Sequence, residues 1–238
     1  MRSILIREVG PRDGLQPEAP VSIADRMRLI RALVAAGLRS IEAAAFVSPR
    51  AVPAMAGAAE VVAALPPGGI DWWVLVPNVR GATLAREAGV DHLSVTVSAS
   101  EEYSRRNVGM SSAESLEQAS VIAGMAPFVD VVISCAFGSP YEGAIPPAVV
   151  ADMATRCRQA GTTVTLADTT GMATPRRVEE VLALTGEDVG LHLHDSRGTA
   201  LVNAYAGMAL GVSRFDTAVG GLGGSPFAAG AGGNLATE

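Results

Sequence analysis

Apolar residues along the chain fall into short runs, separated by longer stretches with helical periodicity. Eight of these runs predict strands, at residues 4–9, 40–46, 71–77, 92–99, 129–137, 162–168, 189–195 and 214–221. The stretch 24–37 shows the other pattern, because its apolar residues recur at helical spacing and Gly37 follows as a helix-ending residue. Strands that alternate with single helices predict a parallel sheet.

Eight such units favour a closed (β/α)8 barrel, the TIM-barrel class of α/β folds, over an open doubly wound sheet. No repeat, low-complexity tract or linker divides the chain, so residues 1–238 are predicted to form one barrel domain. The final residues, GGNLATE, stand where a helix after the eighth strand would begin. We therefore expect the eighth helix to be truncated in this sequence.

Composition narrows the classes of partner. The formal net charge is -6 and no basic stripe is present, so nucleic acid is not an expected partner. No run approaches the roughly 18 apolar residues of a membrane span, and the first residues lack the pattern of a secretory signal. Cys135 and Cys157 are too few for a disulfide framework. We expect a cytoplasmic protein that does not bind membranes.

All 18 basic residues are arginine, and the chain contains no lysine. Schiff-base catalysis and pyridoxal phosphate bound as an internal aldimine both require a lysine amine, so both are excluded. Any carbanion formed here needs another stabiliser, such as a metal ion or fixed cationic donors.

Two of the three histidines, His192 and His194, lie two residues apart in the predicted seventh strand. Residues at this spacing point to the same face of a strand. Together with Asp13 after the first strand, they predict a metal site of nitrogen and oxygen ligands. Mg²⁺, Mn²⁺, Fe²⁺, Co²⁺ and Zn²⁺ all suit such a set, and a 2-His-1-carboxylate oxygenase is a rival interpretation. The alternative is that these are core histidines with satisfied hydrogen bonds.

Other polar residues stand where strands end, and the carboxyl ends of the strands carry the active site in such barrels. They are Arg12, Asp13, Gln16, Glu42, Asp168, Ser225 and Asn234. Glu42 and Asp168 lie in apolar strands, where either is also explained as a buried partner of an arginine. His92 starts the fourth strand at the opposite end of the barrel and is predicted to be structural. The glycine-rich stretch 220–234 does not match a phosphate-binding pattern, and a flexible loop is its alternative.

At this level of detail the chain resembles the 3-hydroxy-3-methylglutaryl-CoA lyase family, metal-dependent enzymes that share an Asp-Arg-Glu barrel signature. The resemblance runs over essentially the whole chain and rests on these segments: REVGPRDGLQPE, IEAAAFVSPRAVPAM, LVPNVRG, SVTVSASEEYSRRNVGMS, LADTTGMATP, HLHDSRGTALVN and VGGLGGSPFAAGAGGNLATE. The last segment separates the lyases from isopropylmalate and citramalate synthases.

The resemblance implies a divalent cation, Mg²⁺ or Mn²⁺, held by Asp13, His192, His194 and Asn234. The implied reaction is a retro-Claisen cleavage of a 3-hydroxyacyl-CoA to acetyl-CoA and a 3-oxo acid, acetoacetate in the parent case. Asp13 or His192 would remove the hydroxyl proton, and Arg12 would stabilise the enolate. Glu42 would orient Arg12, and Asp168 would lie in the same polar shell.

The segment YSRRNVG, residues 103–109, is predicted to be a loop after the fourth strand. Its Arg105 and Arg106, with Asn107 beside them, are candidates for binding the phosphates of coenzyme A. The alternative is a solvated pair of arginines with no ligand.

Three positions depart from the family pattern. Ser225 stands where the family has a cysteine thought to help reprotonate the acetyl-CoA carbanion, Ala45 replaces a hydroxyl residue, and Gly232 replaces Ser or Thr. These departures leave open a related lyase or aldolase acting on a different 3-hydroxy acid, and a degenerate barrel that binds metal or acyl-CoA without turnover. A homodimer is compatible with the sequence.

Overall fold

Eight parallel strands close into a single barrel in this computed structural model, which describes residues 3–224 and 232–238. The strands are β1 Leu5–Glu8, β2 Ser40–Ala45, β3 Asp71–Val76, β4 His92–Ser98, β5 Phe128–Ser134, β6 Thr163–Asp168, β7 Gly190–Leu193 and β8 Arg214–Thr217. Each strand pairs with the next in sequence, and β8 pairs with β1. The predicted (β/α)8 barrel is confirmed.

The helices lie between the strands along the chain. They are α1 Ile23–Ala35, α2 Ala58–Ala63, α3 Val79–Glu87, α4 Glu101–Val108, α5 Ser112–Ala123, α6 Pro147–Gln159, α7 Pro175–Thr185 and α8 Ala200–Ala209. The main hydrophobic core contains buried residues of both layers, such as Leu93 and Leu191 on strands with Ile30 and Val150 on helices. No helix among the described residues is long and apolar enough to cross a bilayer.

The prediction of a loop at 103–109 is wrong, because most of this segment belongs to helix α4. The Ser100 side chain accepts a hydrogen bond from the Tyr103 amide at the start of the helix. Glu101 and Glu102 pair with the arginines four residues later. Gly109, at φ 72°, ends the helix. Capping and ion pairs together favour the helix.

Strand β7 ends at Leu193, two residues before the predicted end, because a returning segment takes over its hydrogen bonds. The Leu235 amide donates to the Leu193 carbonyl, and the Asp195 amide donates to the Gly233 carbonyl. His194 forms an isolated bridge with Asn234. Residues 232–238 thus cross the carboxyl end of the barrel beside β7. Among the described residues after β8 there is a short 3₁₀ helix, Val219–Gly221, but no α-helix.

A π-helical turn, Gly10–Gly14, follows β1 at the same end. It places Arg12 and Asp13, which are consecutive in sequence, at the carboxyl mouth, where both are buried. The carboxyl ends of β1, β7 and β8 therefore bring the predicted ligands into one region.

Candidate metal centre and active site

His192 and His194 point to the same side of β7, as their spacing predicts. Their Nε2 atoms lie 3.3 Å apart, and both side chains are buried. Asp13 Oδ2 lies 3.7 Å from His192 Nε2. One ligand atom from each of the three residues falls within 4.8 Å of the others, a spacing that suits a metal ion.

The hydrogen bonds of the two imidazoles assign their tautomers. His194 Nδ1 lies 2.7 Å from the Gly232 carbonyl oxygen, which only accepts, so Nδ1 carries the proton. His192 Nδ1 lies 3.2 Å from Asp216 Oδ2 and donates to that carboxylate. Both Nε2 lone pairs then face the same space, where they repel each other unless a cation lies between them. This arrangement fits a bound metal ion.

Asn234 adds an amide to the same group. Its nitrogen donates to Asp13 Oδ2 at 2.7 Å and to the Leu222 carbonyl at 2.8 Å. Its Oδ1 is buried and has no hydrogen-bond partner among the described residues. A buried acceptor without a partner is costly, so a ligand at this position would stabilise it. The four predicted ligands therefore fit a divalent cation held by nitrogen and oxygen atoms.

Arg12 connects two carboxylates beside this site. Its Nε donates to Glu42 Oε2 at 2.5 Å and its Nη1 donates to Asp13 Oδ1 at 2.6 Å. Burial acts to lower the pKa of Arg12, but the charges of Glu42 and Asp13 outweigh it, and the pKa is raised. For Asp13, burial acts to raise the pKa, while Arg12 and the two histidines lower it below its usual value.

A cavity of about 290 Å³ opens above these groups. Arg12, Asp13, His192 and His194 form part of its lining. The apolar part of its lining includes Val47, Val52, Leu75, Tyr103, Val108 and Val132. A cavity in which apolar side chains and convergent polar groups share the lining is typical of a small-molecule site.

Comparison with known proteins supports the same interpretation of the site as its geometry. The HMGL-like family model matches residues 3–238. The chain belongs to the HMGL-like family. Among curated HMGL-like relatives, the hydroxymethylglutaryl-CoA lyase of Pseudomonas mevalonii is 41% identical over 250 residues, which are 100% of this chain and 83% of that protein.

Two further HMGL-like proteins are similar over the same extent. A Pseudomonas aeruginosa protein named 3-hydroxy-3-isohexenylglutaryl-CoA/hydroxy-methylglutaryl-CoA lyase is 43% identical over 249 residues, 100% of this chain and 83% of that protein. The solved structure of an HMG-CoA lyase from Acinetobacter baumannii, in complex with coenzyme A and 3-methylmalate, superposes with a TM-score of 0.92 at 38% identity. The superposition covers 99% of this chain and 81% of the Acinetobacter baumannii chain.

The remaining predicted site residues of this HMGL-like chain lie at different distances from the cavity. Asn107 on α4 lines it, and Gln16 does as well. Arg105 and Arg106 are 60% and 56% exposed and are paired with Glu101 and Glu102. Arg106 also lies over the Tyr141 ring, 4.6 Å from its centroid.

Asp168 is buried at the end of β6 and orders the loop that follows. Its Oδ1 accepts hydrogen bonds from the amides of Met172 and Ala173, at 2.8 and 3.0 Å. Its Oδ2 is buried with no partner among the described residues. Burial raises its pKa to about 6. Ser225 lies outside the described residues.

His92, predicted to be structural, lies at the other end of the barrel at the start of β4. Its ring stacks on Phe128 with centroids 4.4 Å apart. Among the described residues, sequence reasoning missed four other buried charges in strands: Arg7, Glu8, Asp130 and Asp216. Each lies within a predicted apolar strand, and this was the signal that singled out Glu42 and Asp168.

Proposed function

We propose that this HMGL-like protein is a divalent-metal-dependent carbon–carbon lyase that cleaves 3-hydroxy-3-methylglutaryl-CoA to acetyl-CoA and acetoacetate. The observation that carries the proposal is the convergence of Asp13, His192 and His194 beside the Arg12–Glu42 pair in one cavity. The names of the relatives support the same reaction.

Asp13, His192, His194 and Asn234 would hold the cation. Mg²⁺ or Mn²⁺ suits this set, because it contains no sulfur and includes two oxygen donors. Once bound, a divalent cation supplies Lewis-acid polarisation that lowers the pKa of a substrate hydroxyl. The tautomers of both histidines, fixed by Asp216 and the Gly232 carbonyl, keep the Nε2 atoms free for that cation.

The remaining steps use side chains of the protein. Asp13 accepts the proton of the tertiary hydroxyl, because both ring nitrogens of His192 are occupied, Nδ1 by its proton and Nε2 by its direction toward the cation. The bond between C2 and C3 breaks as the 3-oxo group forms. The electron pair moves onto the acetyl-CoA fragment as its enolate, and Arg12 would stabilise the negative thioester oxygen. Glu42 orients Arg12 through the Nε bond.

Asn107 is proposed to contact the substrate from the α4 side of the cavity, with Arg105 and Arg106 at the outer rim for the phosphates of coenzyme A. The cavity lining supports the role of Asn107. Exposure of the two arginines leaves them accessible to an anionic ligand, although their ion pairs with Glu101 and Glu102 compete for the same charges.

We further propose that Ser225 makes the enzyme slow on the parent substrate. The enolate needs a proton from a positioned acid, and a thiol of pKa about 8.5 is a far better donor than a serine hydroxyl. Ser225→Cys is expected to raise the turnover number, measured on 3-hydroxy-3-methylglutaryl-CoA. Fast wild-type turnover that the cysteine does not improve would show that the thiol is dispensable in this chain.

A second candidate substrate is a 3-hydroxy-3-alkylglutaryl-CoA with a longer substituent. The apolar part of the cavity lining favours it, since Val52, Leu75 and Val132 contribute to that lining. One relative carries an isohexenyl substrate in its name. Comparing kcat/KM for methyl and longer 3-alkyl substrates decides between the two.

The main test is acetyl-CoA release from 3-hydroxy-3-methylglutaryl-CoA with and without Mg²⁺ or Mn²⁺, combined with measurement of bound metal. His192→Ala and His194→Ala are each expected to lose bound metal and activity. His92→Ala is the matched control, since this histidine lies at the opposite end of the barrel, and it is expected to retain both. Stoichiometric metal in both site variants, or release of acetyl-CoA that no cation affects, would contradict the proposal.

We propose a cytoplasmic location and a homodimer as the working assembly. Cys135 and Cys157 are both buried as free thiols, which suits a reducing compartment. Sedimentation equilibrium of the purified protein measures the assembly directly, and a monomer at all concentrations would contradict the dimer.

A further inference from the structure

Three polar side chains on adjacent strands form one row across the barrel interior. Arg7 on β1 is the register partner of Asp216 on β8, and Asp216 is the register partner of His192 on β7. All three are buried. Residues paired in register lie at the same height, so the row joins the metal centre to the middle of β1.

The hydrogen bonds along this row are directional. Arg7 binds Asp216 in a bidentate manner, through Nε to Oδ1 at 2.7 Å and Nη2 to Oδ2 at 2.8 Å. Both oxygens of Asp216 are thereby fixed. The same Oδ2 accepts the Nδ1 proton of His192 at 3.2 Å.

Arg7 is itself held from the far side of the barrel. Its Nη2 also donates to Asp130 Oδ2 at 2.9 Å, and Thr165 donates its hydroxyl to the same oxygen at 2.7 Å. The guanidinium lies over the Trp73 ring, 5.0 Å from the centroid. Because Arg7 is clamped on three sides, it presents a rigid fork to Asp216.

We infer that Asp216 is a positioning residue that holds His192 as the Nδ1–H tautomer with Nε2 directed at the cation, and that Arg7 acts on the metal through Asp216. The inference rests on the proposed metal site. A carboxylate that accepts the second nitrogen of a metal-bound histidine fixes the tautomer and ring orientation, and its loss lowers metal affinity by about 10- to 100-fold in general.

The first measurement reads the tautomer directly. The chain has three histidines, so protein labelled with ¹⁵N-histidine gives six ring-nitrogen signals. Long-range ¹H–¹⁵N spectra of the metal-free protein, in which no cation fixes the tautomer, are expected to show protonated Nδ1 on His192 and His194. Asp216→Ala is expected to remove this preference for His192 and to keep it for His194, whose Nδ1 partner is the Gly232 carbonyl. An unchanged His192 tautomer overturns the inference.

The second measurement is a double-mutant cycle on Mn²⁺ affinity. Asp216→Asn and Arg7→Met are each expected to weaken Mn²⁺ binding by about tenfold or more. In an Asp216→Asn background, Arg7→Met is expected to change the affinity by less than about twofold, because its route to the metal is gone. Effects of the two substitutions that multiply would overturn the claim that Arg7 acts through Asp216.

Arg26→Met is the matched control for loss of a buried guanidinium. Arg26 is fully buried on α1, and its hydrogen bonds go to the carbonyls of Ala56 and Ala43. Arg26→Met is expected to leave the Mn²⁺ affinity unchanged. A loss of Mn²⁺ affinity equal to that of Arg7→Met would make the effect non-specific and overturn the inference. Thermal unfolding shows which variants are folded. If Arg7→Met does not fold, the Mn²⁺ affinity of Asp216→Asn, which preserves the shape of the side chain, tests the inference.

Different results would contradict the proposed function and the inference about Asp216. A wild-type protein that binds no divalent cation contradicts the proposed function. A wild-type protein that binds Mn²⁺, together with a folded Asp216→Asn variant of equal affinity, contradicts only the inference about Asp216.

Discussion

Arg12, the proposed stabiliser of the enolate, donates hydrogen bonds to both Glu42 and Asp13 through one planar guanidinium. Lysine carries a single point charge on a flexible stem and cannot reproduce two fixed directions at once. A lysine at position 12 therefore tests whether the site needs only a positive charge or also the two fixed donor directions of a guanidinium.

Arg12→Lys is expected to lower kcat by about 10²- to 10³-fold, the usual loss when one donor to a developing oxyanion is removed. KM for the acyl-CoA should change much less, because the developing negative charge exists only in the transition state. Steady-state kinetics at saturating metal measure both constants. Arg31→Lys on the exposed surface of α1 is the control, and an effect confined to KM would contradict the role of Arg12.

Asp168 gives a prediction about pH and stability. Burial raises its pKa to about 6, above the value near 4 of an unfolded aspartate. The folded state therefore binds the proton more tightly, so the contribution of Asp168 is most favourable below pH 4 and is lost as the pH rises through 6.

Asp168→Asn keeps an oxygen for the amides of Met172 and Ala173 but cannot ionise. The variant is expected to match the wild type in free energy of unfolding near pH 4 and to exceed it above pH 7, by up to about 3 kcal/mol. Urea unfolding of both proteins at several pH values measures the difference. A difference that stays constant between pH 4 and pH 8 would show that ionisation of Asp168 does not affect stability.

At the scale of elements, the metal centre depends on a close approach between Gly223 and Asn234. Gly223 has φ 124°, and a Cβ atom there would overlap the Asn234 amide nitrogen and lie 3.3 Å from Asp13 Oδ2. Only glycine leaves room for the amide beside Asp13.

Gly223→Ala is expected to displace Asn234 and weaken Mn²⁺ binding by about tenfold or more, as measured by calorimetry. Gly220→Ala is the matched control, because Gly220 also has positive φ, at 66°, but a Cβ there meets nothing within 4 Å. The control should lose some stability, since alanine is strained at positive φ, and keep its metal affinity. Equal affinities in the two variants would exclude a role for this contact.

Helix α4 carries the test of coenzyme A binding. Reversing both charges with Arg105→Glu and Arg106→Glu is expected to raise KM for acyl-CoA several-fold with little change in kcat, because phosphates would meet repulsion at the cavity rim. The double variant Arg156→Glu and Arg158→Glu at the end of α6 is the control for net charge. An unchanged KM supports the alternative, a solvated pair without a ligand.

The period of apolar residues was enough to predict all eight strands, because each strand must bury a local run of apolar side chains. The ends of elements were less predictable. Strand β7 stops at Leu193 because a segment about 40 residues later takes its hydrogen bonds, and helix α4 forms where capping and ion pairs outweigh a polar composition.

The residues of the candidate site also divide into those that the sequence predicts and those that it does not. Asp13, His192, His194 and Asn234 were predicted ligands, and the structure brings their side chains together. Asp216 lies as a charge in a predicted apolar strand, but its partner Arg7 could not be predicted, because Arg7 is 209 residues away in sequence and becomes adjacent only when β8 pairs with β1. Local patterns carry no information about such a pairing.

For the molecule as a whole, the closed barrel has two mouths with different contents. The proposed metal ligands and the cavity of about 290 Å³ belong to the carboxyl end. A second cavity, of about 250 Å³, lies at the amino end, where Leu5, Phe128 and Arg214 at the starts of strands contribute to its lining. Asp216 and Arg7 also line this second cavity.

The sharing of Asp216 has a thermodynamic consequence. Suppose that a small molecule occupies the amino-end cavity and displaces the Asp216 carboxylate from His192. It then changes the affinity for the cation at the other mouth by some factor, and by linkage the cation changes the affinity for that molecule by the same factor. Such a compound would inhibit without competing with acyl-CoA, and excess Mg²⁺ would weaken its binding. A ligand bound in the amino-end cavity would thereby act on the proposed metal centre without occupying the substrate cavity.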